Sequence, residues 1–237
     1  MLRVGGLFSK SAASLLATGV MMTGLAFSAS AATIPVANSD FEDPYELVNN
    51  GAQGQWSLGS AGWSHVGTAG VWDPYDAVIG EVYSVVPAEI GDRIGFVNNN
   101  ASLYQYLGVS LEADTTYTLS ALIGHRINFS FEGVMGFFAG DPSNIIASWN
   151  LTDPGEGLWS LQSGSLDAAV VAGLVGQQLG IFFKGVGKQF SLDKVLVEYF
   201  SENENVLVNP LPGAVWLFGS ALAAGGFLTR RKRKLSN

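Results

Sequence analysis

The sequence predicts an all-β domain, a jelly-roll β-sandwich, and three observations support this prediction. Apolar and polar residues alternate in many short runs, with the period of two that is typical of half-buried strands. Helical periodicity is almost absent, and Gly, Asn, Asp and Pro separate the alternating runs as turn residues do. About ten such strands over roughly 170 residues are the size of one jelly-roll sandwich.

The N-terminal segment, residues 1–32, has the pattern of a signal peptide. A short basic region ends at Lys10, a mostly apolar run extends from Ala12 to Phe27, and the small residues Ala29-Ser30-Ala31-Ala32 follow. Signal peptidase requires small residues of this kind at its cleavage site. We therefore expect export and a mature chain that begins near Thr33; the alternative is an uncleaved membrane anchor.

Residues 33–205 are predicted to form the β-sandwich. The clearest strand runs from Thr116 to Ile123, because its odd-numbered positions are apolar or aromatic and its even-numbered positions are mostly Thr or Ser. One segment, Ser165–Val175, carries apolar residues at helical spacing and is predicted to be helical. The further predicted strands are Arg93–Val97, Ser102–Val109, Val134–Phe138, Ile145–Trp149, Leu179–Phe183 and Val195–Tyr199.

Residues 206–237 have the composition of a membrane-directed tail. The prolines Pro210 and Pro212 interrupt the chain, and an uncharged run from Ala214 to Leu228 leads to the basic cluster Arg230–Lys234. A helix over that run would span about 22 Å, less than the roughly 30 Å of the hydrocarbon core. The basic cluster predicts a cytoplasmic end by the positive-inside rule, whereas the alternative is a buried core helix.

This tail resembles a known sorting signal. Pro210–Leu222, with the sequence PLPGAVWLFGSAL, and the basic residues that follow are similar to the VPLPA variety of PEP-CTERM signal. The resemblance implies export in a bacterium that makes extracellular polysaccharide, and processing by an exosortase-type membrane protease. Asn209 and Gly213 occupy positions where that signal usually has Val and Ala.

The predicted domain is acidic and contains no cysteine. All 20 acidic residues lie between Asp40 and Glu204, whereas most of the 12 basic residues lie in the two terminal segments. An acidic body repels phosphate backbones, so nucleic-acid binding is not expected. The absence of cysteine excludes disulfides, thiol catalysis and thiolate metal sites.

Short motifs of the body resemble bacterial carbohydrate-binding-like jelly rolls. Ile34–Pro44, with the sequence IPVANSDFEDP, is similar to their opening "xxNxxFExP" strand, and Phe190–Val197, FSLDKVLV, to their final "FDNVxL" strand. The motifs GVWDP, GFVNN, LYQYL and TYTL lie between them in the same order. The calcium-binding Stig cyclases of cyanobacteria, which rearrange indole alkaloids, share this layout.

The resemblance implies a structural calcium ion shared by the first and last strands. It assigns the ion to Glu42 and Asp193, with Asp40 and Asp43 as weaker candidates; calcium binds six to eight oxygen ligands of this kind. The alternative is that these carboxylates only cap strands in water. Stig cyclases also use an acidic pocket residue, and Asp193 is the nearest match to it.

Aromatic residues and carboxylates crowd the Gly-rich region before the first clear strands. Sugar rings are usually held by aromatic faces together with acids that accept their hydroxyls. We therefore expect ligand binding at Trp72, Asp73, Tyr75 and Asp76, although core packing explains many tryptophans in a small β domain. The aromatic residues of this region are Trp56, Trp63, Trp72, Tyr75 and Tyr83.

No catalytic motif is evident in the sequence. Neither His65 nor His125 lies in a nucleophile or metal motif, and both are expected to be ordinary loop or strand-end residues. Three functions therefore remain open. The first is an exported, membrane-held or surface-released module that binds polysaccharide. The second is a cyclase-like or hydrolytic enzyme of the Stig cyclase type, and the third is a structural role in the extracellular matrix. An apolar pocket with a carboxylate of raised pKa would favour the enzyme, and an open aromatic platform would favour the binding module.

Overall fold

Two antiparallel sheets lie face to face in the computed structural model, which describes residues 31–43, 46–51, 54–74 and 80–201. The larger sheet has eight strands and the smaller has five. This is the all-β sandwich that the alternating sequence pattern predicts, and its architecture is consistent with a jelly roll.

The larger sheet carries the last strand of the domain near its centre. Across the sheet, its order is β11 (Trp159–Leu166), β8 (Thr115–Gly124), β13 (Gln189–Ser201), β6 (Ile94–Asn98), β5 (Ala69–Asp73), β3 (Gly54–Leu58) and β2 (Asn49–Gly51). The first strand, β1 (Ala32–Ile34), also pairs with β13. The first and last strands therefore lie side by side, as the resemblance to jelly rolls implies.

The smaller sheet covers one face of the larger one. Its order is β10 (Ile145–Asn150), β9 (Gly133–Ala139), β12 (Gln178–Gly185), β7 (Ser102–Ser110) and β4 (Ser64–Val66), and a short helix, α1 (Ala168–Val171), precedes β12. The inner faces of the two sheets form the main hydrophobic core. Alternation along β8 places its odd-numbered side chains, Tyr117, Leu119, Ala121 and Ile123, in this core, as predicted from the sequence.

Strand β13 is longer than expected and contains a bulge. It runs from Gln189 to Ser201, whereas alternation predicts Val195–Tyr199 and the resemblance places the final strand at Phe190–Val197. Its pairing with β8 shifts register between Asp193 and Leu196. Lys194, inside the shift, has a φ of 50°, which is uncommon for a residue other than glycine. The bulge divides β13 into two ends, which we call the covered end (Gln189–Asp193) and the open end (Leu196–Ser201).

Some elements differ from the sequence predictions. The predicted helix at Ser165–Val175 is only α1, because β11 continues to Leu166 and the chain then turns at residues 172–176. Strand β11 and the strands β2 to β5 were not predicted, since Ser, Gly and Asn dilute their alternation. The opening strand that the resemblance implies at Ile34–Pro44 lies earlier, at Ala32–Ile34.

Both predicted targeting segments lie outside the described residues: the signal peptide at 1–32 except for its last two residues, and the tail at 206–237. Among the residues that the structure describes, no helix is long and apolar enough to cross a membrane.

Candidate functional site

Polar side chains line the outer face of β13 along its covered end. Gln189, Ser191 and Asp193 alternate with the core residues Phe190 and Leu192, so all three point away from the smaller sheet. An outer face normally meets water, yet Ser191 and Asp193 are 0% exposed. Buried polar groups on an outer face require a cover, and such covered positions are typical of ligand sites.

Three chain segments form this cover, which we call the roof: residues 82–85, 125–129 and 155–159. The amide of Ile127 donates to the carbonyl of Val82 at 3.0 Å, and the amide of Ser84 donates to the carbonyl of Gly157 at 2.8 Å. These bonds place Tyr83 over the sheet. The covered space is lined by a second apolar cluster that includes Trp72, Val82, Tyr83, Ile94 and Phe96.

Tyr83 is anchored to the middle of the covered end. Its hydroxyl donates to Ser191 Oγ at 2.6 Å, and its ring lies 5.0 Å from the ring of Trp159. Burial raises the pKa of Tyr83, so the phenol stays protonated. Trp159 is packed against the sheet because its strand partner is Gly124, where a Cβ atom would lie 2.7 Å from the indole ring.

Arg126 lies on the same face with its guanidinium between aromatic rings. The guanidinium carbon is 4.9 Å from the centre of the Trp72 ring and 4.3 Å from that of Phe129. Its Nη1 donates to Gln189 Oε1 at 3.1 Å, and burial lowers its pKa. Gln189 Nε2 in turn donates to Asn98 Oδ1 at 2.9 Å, so the first position of the covered end is held from two sides.

Asp193 is the titratable group of this face with the most altered acidity. Burial raises its pKa from the ordinary 3.8 to about 7; the amide and the ammonium of Lys194 oppose the rise, and the carboxylates of Asp40 and Glu42 add to it. Its Oδ1 accepts a hydrogen bond from the Lys194 amide at 2.7 Å, whereas its buried Oδ2 has no partner among the described residues. Leu122, its partner on β8, supplies an apolar neighbour. A carboxyl group in these surroundings is protonated at neutral pH about half of the time and can donate a proton.

The carboxylates predicted to hold calcium approach one another here. Asp40 and Glu42 are close enough to Asp193 to raise its pKa, and the unpartnered Oδ2 of Asp193 is the kind of oxygen that a cation would satisfy. Glu42 Oε1 already accepts the Arg93 amide at 2.9 Å, and the Lys194 ammonium is 3.6 Å from Asp40 Oδ2. Within the described ranges, no three His, Asp or Glu side chains converge as a metal site. The oxygens present suit calcium chemically, but backbone carbonyls or water would have to complete the shell.

The predicted ligand-binding residues have different surroundings. Trp72 is 5% exposed and forms a wall of the covered space, under the Arg126 guanidinium. Asp73 lies at the end of β5 with its Oδ2 3.6 Å from Nε of Arg93. Tyr75 and Asp76 lie outside the described residues, so nothing is added to the prediction for them.

The other aromatic residues of that region do not form an open platform. Trp63 lies in the main core, stacked on Phe41 at 5.6 Å between ring centres, and its Nε1 donates to the carbonyl of Asn38. Trp56 packs edge-on against Phe96 on the outer face. Together with the buried Tyr83, these positions favour an enclosed site over an exposed sugar-stacking surface.

Sequence reasoning missed four residues of the site: Gln189, Ser191, Arg126 and Trp159. Ser191 lies in the final-strand motif, which gives it no role, and strand register and the roof bring the other three to it from different parts of the chain. Both histidines are where the sequence places ordinary residues: His65 is on the exposed strand β4, and His125 directly follows β8.

Solved structures with a similar fold are cyclases from Fischerella. The Stig cyclase Fisc from Fischerella sp. TAU, in complex with (3Z)-3-(1-methyl-2-pyrrolidinylidene)-3H-indole, is 21% identical, with a TM-score of 0.58 over 73% of this chain and 100% of its own. An apo form cyclase from Fischerella sp. is 22% identical, with a TM-score of 0.57 over 72% of this chain and 97% of its own. A Fischerella sp. TAU cyclase in complex with 4-(1H-indol-3-yl)butan-2-one is 20% identical, with a TM-score of 0.57 over 73% of this chain and 100% of its own. At these identities the likeness establishes the fold.

The sequence itself identifies the family. The comparison with curated proteins gives no match. A family model described as HpiC1 cyclase matches residues 32–198, which span the sandwich from β1 into the open end of β13. The chain therefore belongs to the HpiC1-like family of cyclases.

Proposed function

We propose that this protein is a small-molecule cyclase-like enzyme of the Stig cyclase type, with Asp193 as its proton donor. The observation that carries the proposal is a buried carboxyl group with its pKa raised to about 7 on an enclosed, largely apolar face. An acid works best when its pKa lies near the pH at which it operates. The enzyme is therefore favoured over the polysaccharide-binding module.

The substrate we propose is an apolar, indole-like molecule that carries a basic or acceptor atom. Two polar atoms on this face lack a partner among the described residues: the indole Nε1 of Trp159 and Oδ2 of Asp193. A buried polar group without a partner is costly, and a ligand would offset that cost by bonding to it. Indole compounds occupy two of the related cyclases, which supports this choice of substrate class.

The chemistry that these residues support is an acid-catalysed rearrangement. Neutral Asp193 donates its proton to the basic atom of the bound substrate, and the resulting positive charge weakens the bond that must rearrange. The aromatic walls, with Trp72 and Tyr83 among them, stabilise that charge and exclude water. The proton returns to the carboxylate when the product forms, so the step consumes no co-reactant.

Isomerisation and binding assays test this proposal. The protein is incubated with alkenyl indoles, and isomerisation is followed by chromatography at constant mass; binding of 4-(1H-indol-3-yl)butan-2-one is followed in parallel. Asp193→Asn should lower turnover by about 10²- to 10⁴-fold and change probe affinity little, since a general acid contributes on that scale. Glu198→Gln, at the open end, is the matched control. Binding of polysaccharides without any indole binding would overturn the proposal and favour the polysaccharide-binding module instead.

Calcium is proposed as a structural ion between the first and last strands. Asp40 and Glu42 would hold it through carboxylate oxygens, and the ion would fasten residues 40–42 to the bulge of β13. Asp193 would be a third ligand only in its ionised form, so its roles as ligand and as proton donor exclude each other. The raised pKa of Asp193 supports the donor role.

We also propose export, followed by retention at the inner membrane or release outside the cell. The support is the sequence of the two ends: the signal peptide pattern of residues 1–32 and the PEP-CTERM-like tail of residues 206–237, whose processing partner would be an exosortase-type protease. Cell fractionation tests it. Full-length protein in the cytoplasm, with residues 1–32 intact, would contradict it.

A further inference from the structure

His125 makes two short contacts that only its charged form can satisfy. Its Nδ1 lies 2.7 Å from Asp153 Oδ1, and its Nε2 lies 2.6 Å from the carbonyl oxygen of Phe129. A carbonyl and a carboxylate both accept hydrogen bonds, so each ring nitrogen must carry a hydrogen. A neutral imidazole has one N–H group and can make only one of the two bonds.

The two contacts join separate segments of the roof. Phe129 ends the 125–129 segment, and Asp153 begins the turn that leads to residues 155–159, with its Oδ1 also accepting the Gly155 amide at 2.8 Å. The backbone of His125 adds two bonds to the same turn, from its amide to the carbonyl of Leu158 at 3.0 Å and from the Gly157 amide to its carbonyl at 2.7 Å. The imidazole thus adds a side-chain link to the backbone bonds across the seam between these two segments, beside the bond that Glu156 accepts from the Asn128 amide.

This seam determines the position of Tyr83. The carbonyl of Gly157 accepts the amides of Ser84 and Val85 at 2.8 and 3.2 Å, and the amide of Ile127 donates to the carbonyl of Val82. Residues 82–85 are therefore held from both sides of the seam. Loss of the His125 bond to Phe129 or to Asp153 would loosen one of those supports.

The charged groups around His125 come from both segments and from the bend before β13. Asp153 is the carboxylate in contact, and Glu156 accepts the Asn128 amide further along the turn. Arg126 follows in the chain, and the Lys188 ammonium lies 4.1 Å from the centre of the Phe129 ring. Phe131 packs against the imidazole with 5.3 Å between ring centres. Of these groups, the Asp153 carboxylate is the one in direct contact with the imidazole, at 2.7 Å.

We propose that His125 is a proton-dependent positioning residue that holds the roof closed over the covered end of β13. When it is protonated, both bonds form and Tyr83 keeps its hydrogen bond to Ser191. Deprotonation releases one bond, and residues 82–85 and 125–129 open more often. Because the neutral ring has a single N–H group for two acceptors, the roof should be looser at high pH than at low pH. We call these two bonds of His125 the latch. The latch itself does not require the proposed function; only its expected consequence, weaker binding of an indole substrate at high pH, rests on it.

Hydrogen exchange and NMR on the full domain test the latch without any activity assay. The protein has two histidines, so His65→Gln leaves His125 as the only imidazole to observe. At pH 5.5 both of its ring nitrogens should carry hydrogen. Between pH 5.5 and 8.5, after correction for the intrinsic rate, amide protection at residues 82–85 and 125–129 should fall about tenfold or more, because a hydrogen bond involving a charged group is lost.

Matched variants separate the latch from a general loss of stability. In an Asp193→Asn background, which removes the titration of that carboxyl group, His125→Gln should remove the pH dependence of protection. In the same background, Asp153→Asn should move its midpoint to lower pH, and His65→Gln should keep the profile of the background protein. If His125→Gln does not fold, the Asp153→Asn midpoint decides. Protection that is independent of pH in the wild type, or equal profiles for wild type and Asp153→Asn, would overturn the proposal. Failure to bind 4-(1H-indol-3-yl)butan-2-one at any pH would instead count against the proposed function.

Discussion

The two ends of β13 belong to one strand and one sheet face, yet they have opposite environments. At the covered end, the outward side chains of Ser191 and Asp193 are polar and fully buried. At the open end, the outward side chains of Leu196 and Phe200 are apolar and 39% and 38% exposed. A stable sheet would be expected to have the reverse arrangement. The inversion begins at the bulge of Lys194, and it indicates that the covered end is organised for binding rather than for stability.

Asp193→Asn tests how much stability the protein loses by burying a carboxyl group at the covered end. Of the three substitutions or ligands considered, it should have the largest effect on the free energy of unfolding. In the folded protein the pKa of Asp193 is about 7, above its ordinary 3.8. The contribution of this group to the free energy of unfolding is therefore fully present below about pH 4 and is lost as the pH rises through 7. The neutral amide avoids the loss. We expect the variant to be more stable than the wild type at pH 8, by up to about 4 kcal/mol, and equally stable at pH 4.

Urea unfolding at both pH values measures this difference. Glu198→Gln, at a half-buried position of the open end, should change stability by less than about 0.5 kcal/mol at either pH, because the substitution keeps the shape of the side chain. An Asp193→Asn variant less stable than the wild type at pH 8 would mean that the ionised carboxylate is satisfied in the folded state.

Calcium binding would occur at the bulge, the boundary between the covered end and the open end of β13. If Asp40 and Glu42 hold an ion beside the bulge, free calcium at 100 times its dissociation constant should add about 2.7 kcal/mol to stability. Melting curves with calcium and with a chelator measure this, and Glu42→Gln should reduce the difference. If Asp193 is the proton donor, Asp193→Asn should keep most of the response. Coincident curves with and without chelator would remove the ion from the proposal.

Tyr83→Phe should have the smallest of the three effects, confined to the covered end. The change leaves Ser191 Oγ without the hydroxyl that now contacts it at 2.6 Å, and an unsatisfied buried group of this kind costs about 1–3 kcal/mol. Tyr199→Phe on the open end is the control and should be nearly neutral, because its side chain is partly exposed. Equal changes in the free energy of chemical unfolding for the two variants would show that burial under the roof does not make the Tyr83 hydrogen bond more important for stability.

The sequence predicted the fold better than it predicted the site, and β13 shows why. Alternation along Thr116–Ile123 predicts β8, because one of its faces is in the core and the other is polar. Along β13, alternation predicts only Val195–Tyr199, and the covered end is expected as strand only through the resemblance of Phe190–Val197 to the final jelly-roll strand. The sequence does not show that Ser191 and Asp193, on the outer face of this end, are buried. Asp193 was named through the resemblance to known motifs. Its altered acidity depends on Leu122, Asp40 and Glu42, which only the folded register brings near it.

The pairing of β1 with β13 also has a mechanical consequence. Ala32 is opposite Tyr199 and Ile34 is opposite Val197, so the start of β1 and the end of β13 lie at the same end of the sandwich. Tension between the two ends would therefore peel β1 from β13 one residue pair at a time instead of shearing all their bonds together. Among the described residues three pairs resist this peeling, and β1 would separate before the covered end is disturbed.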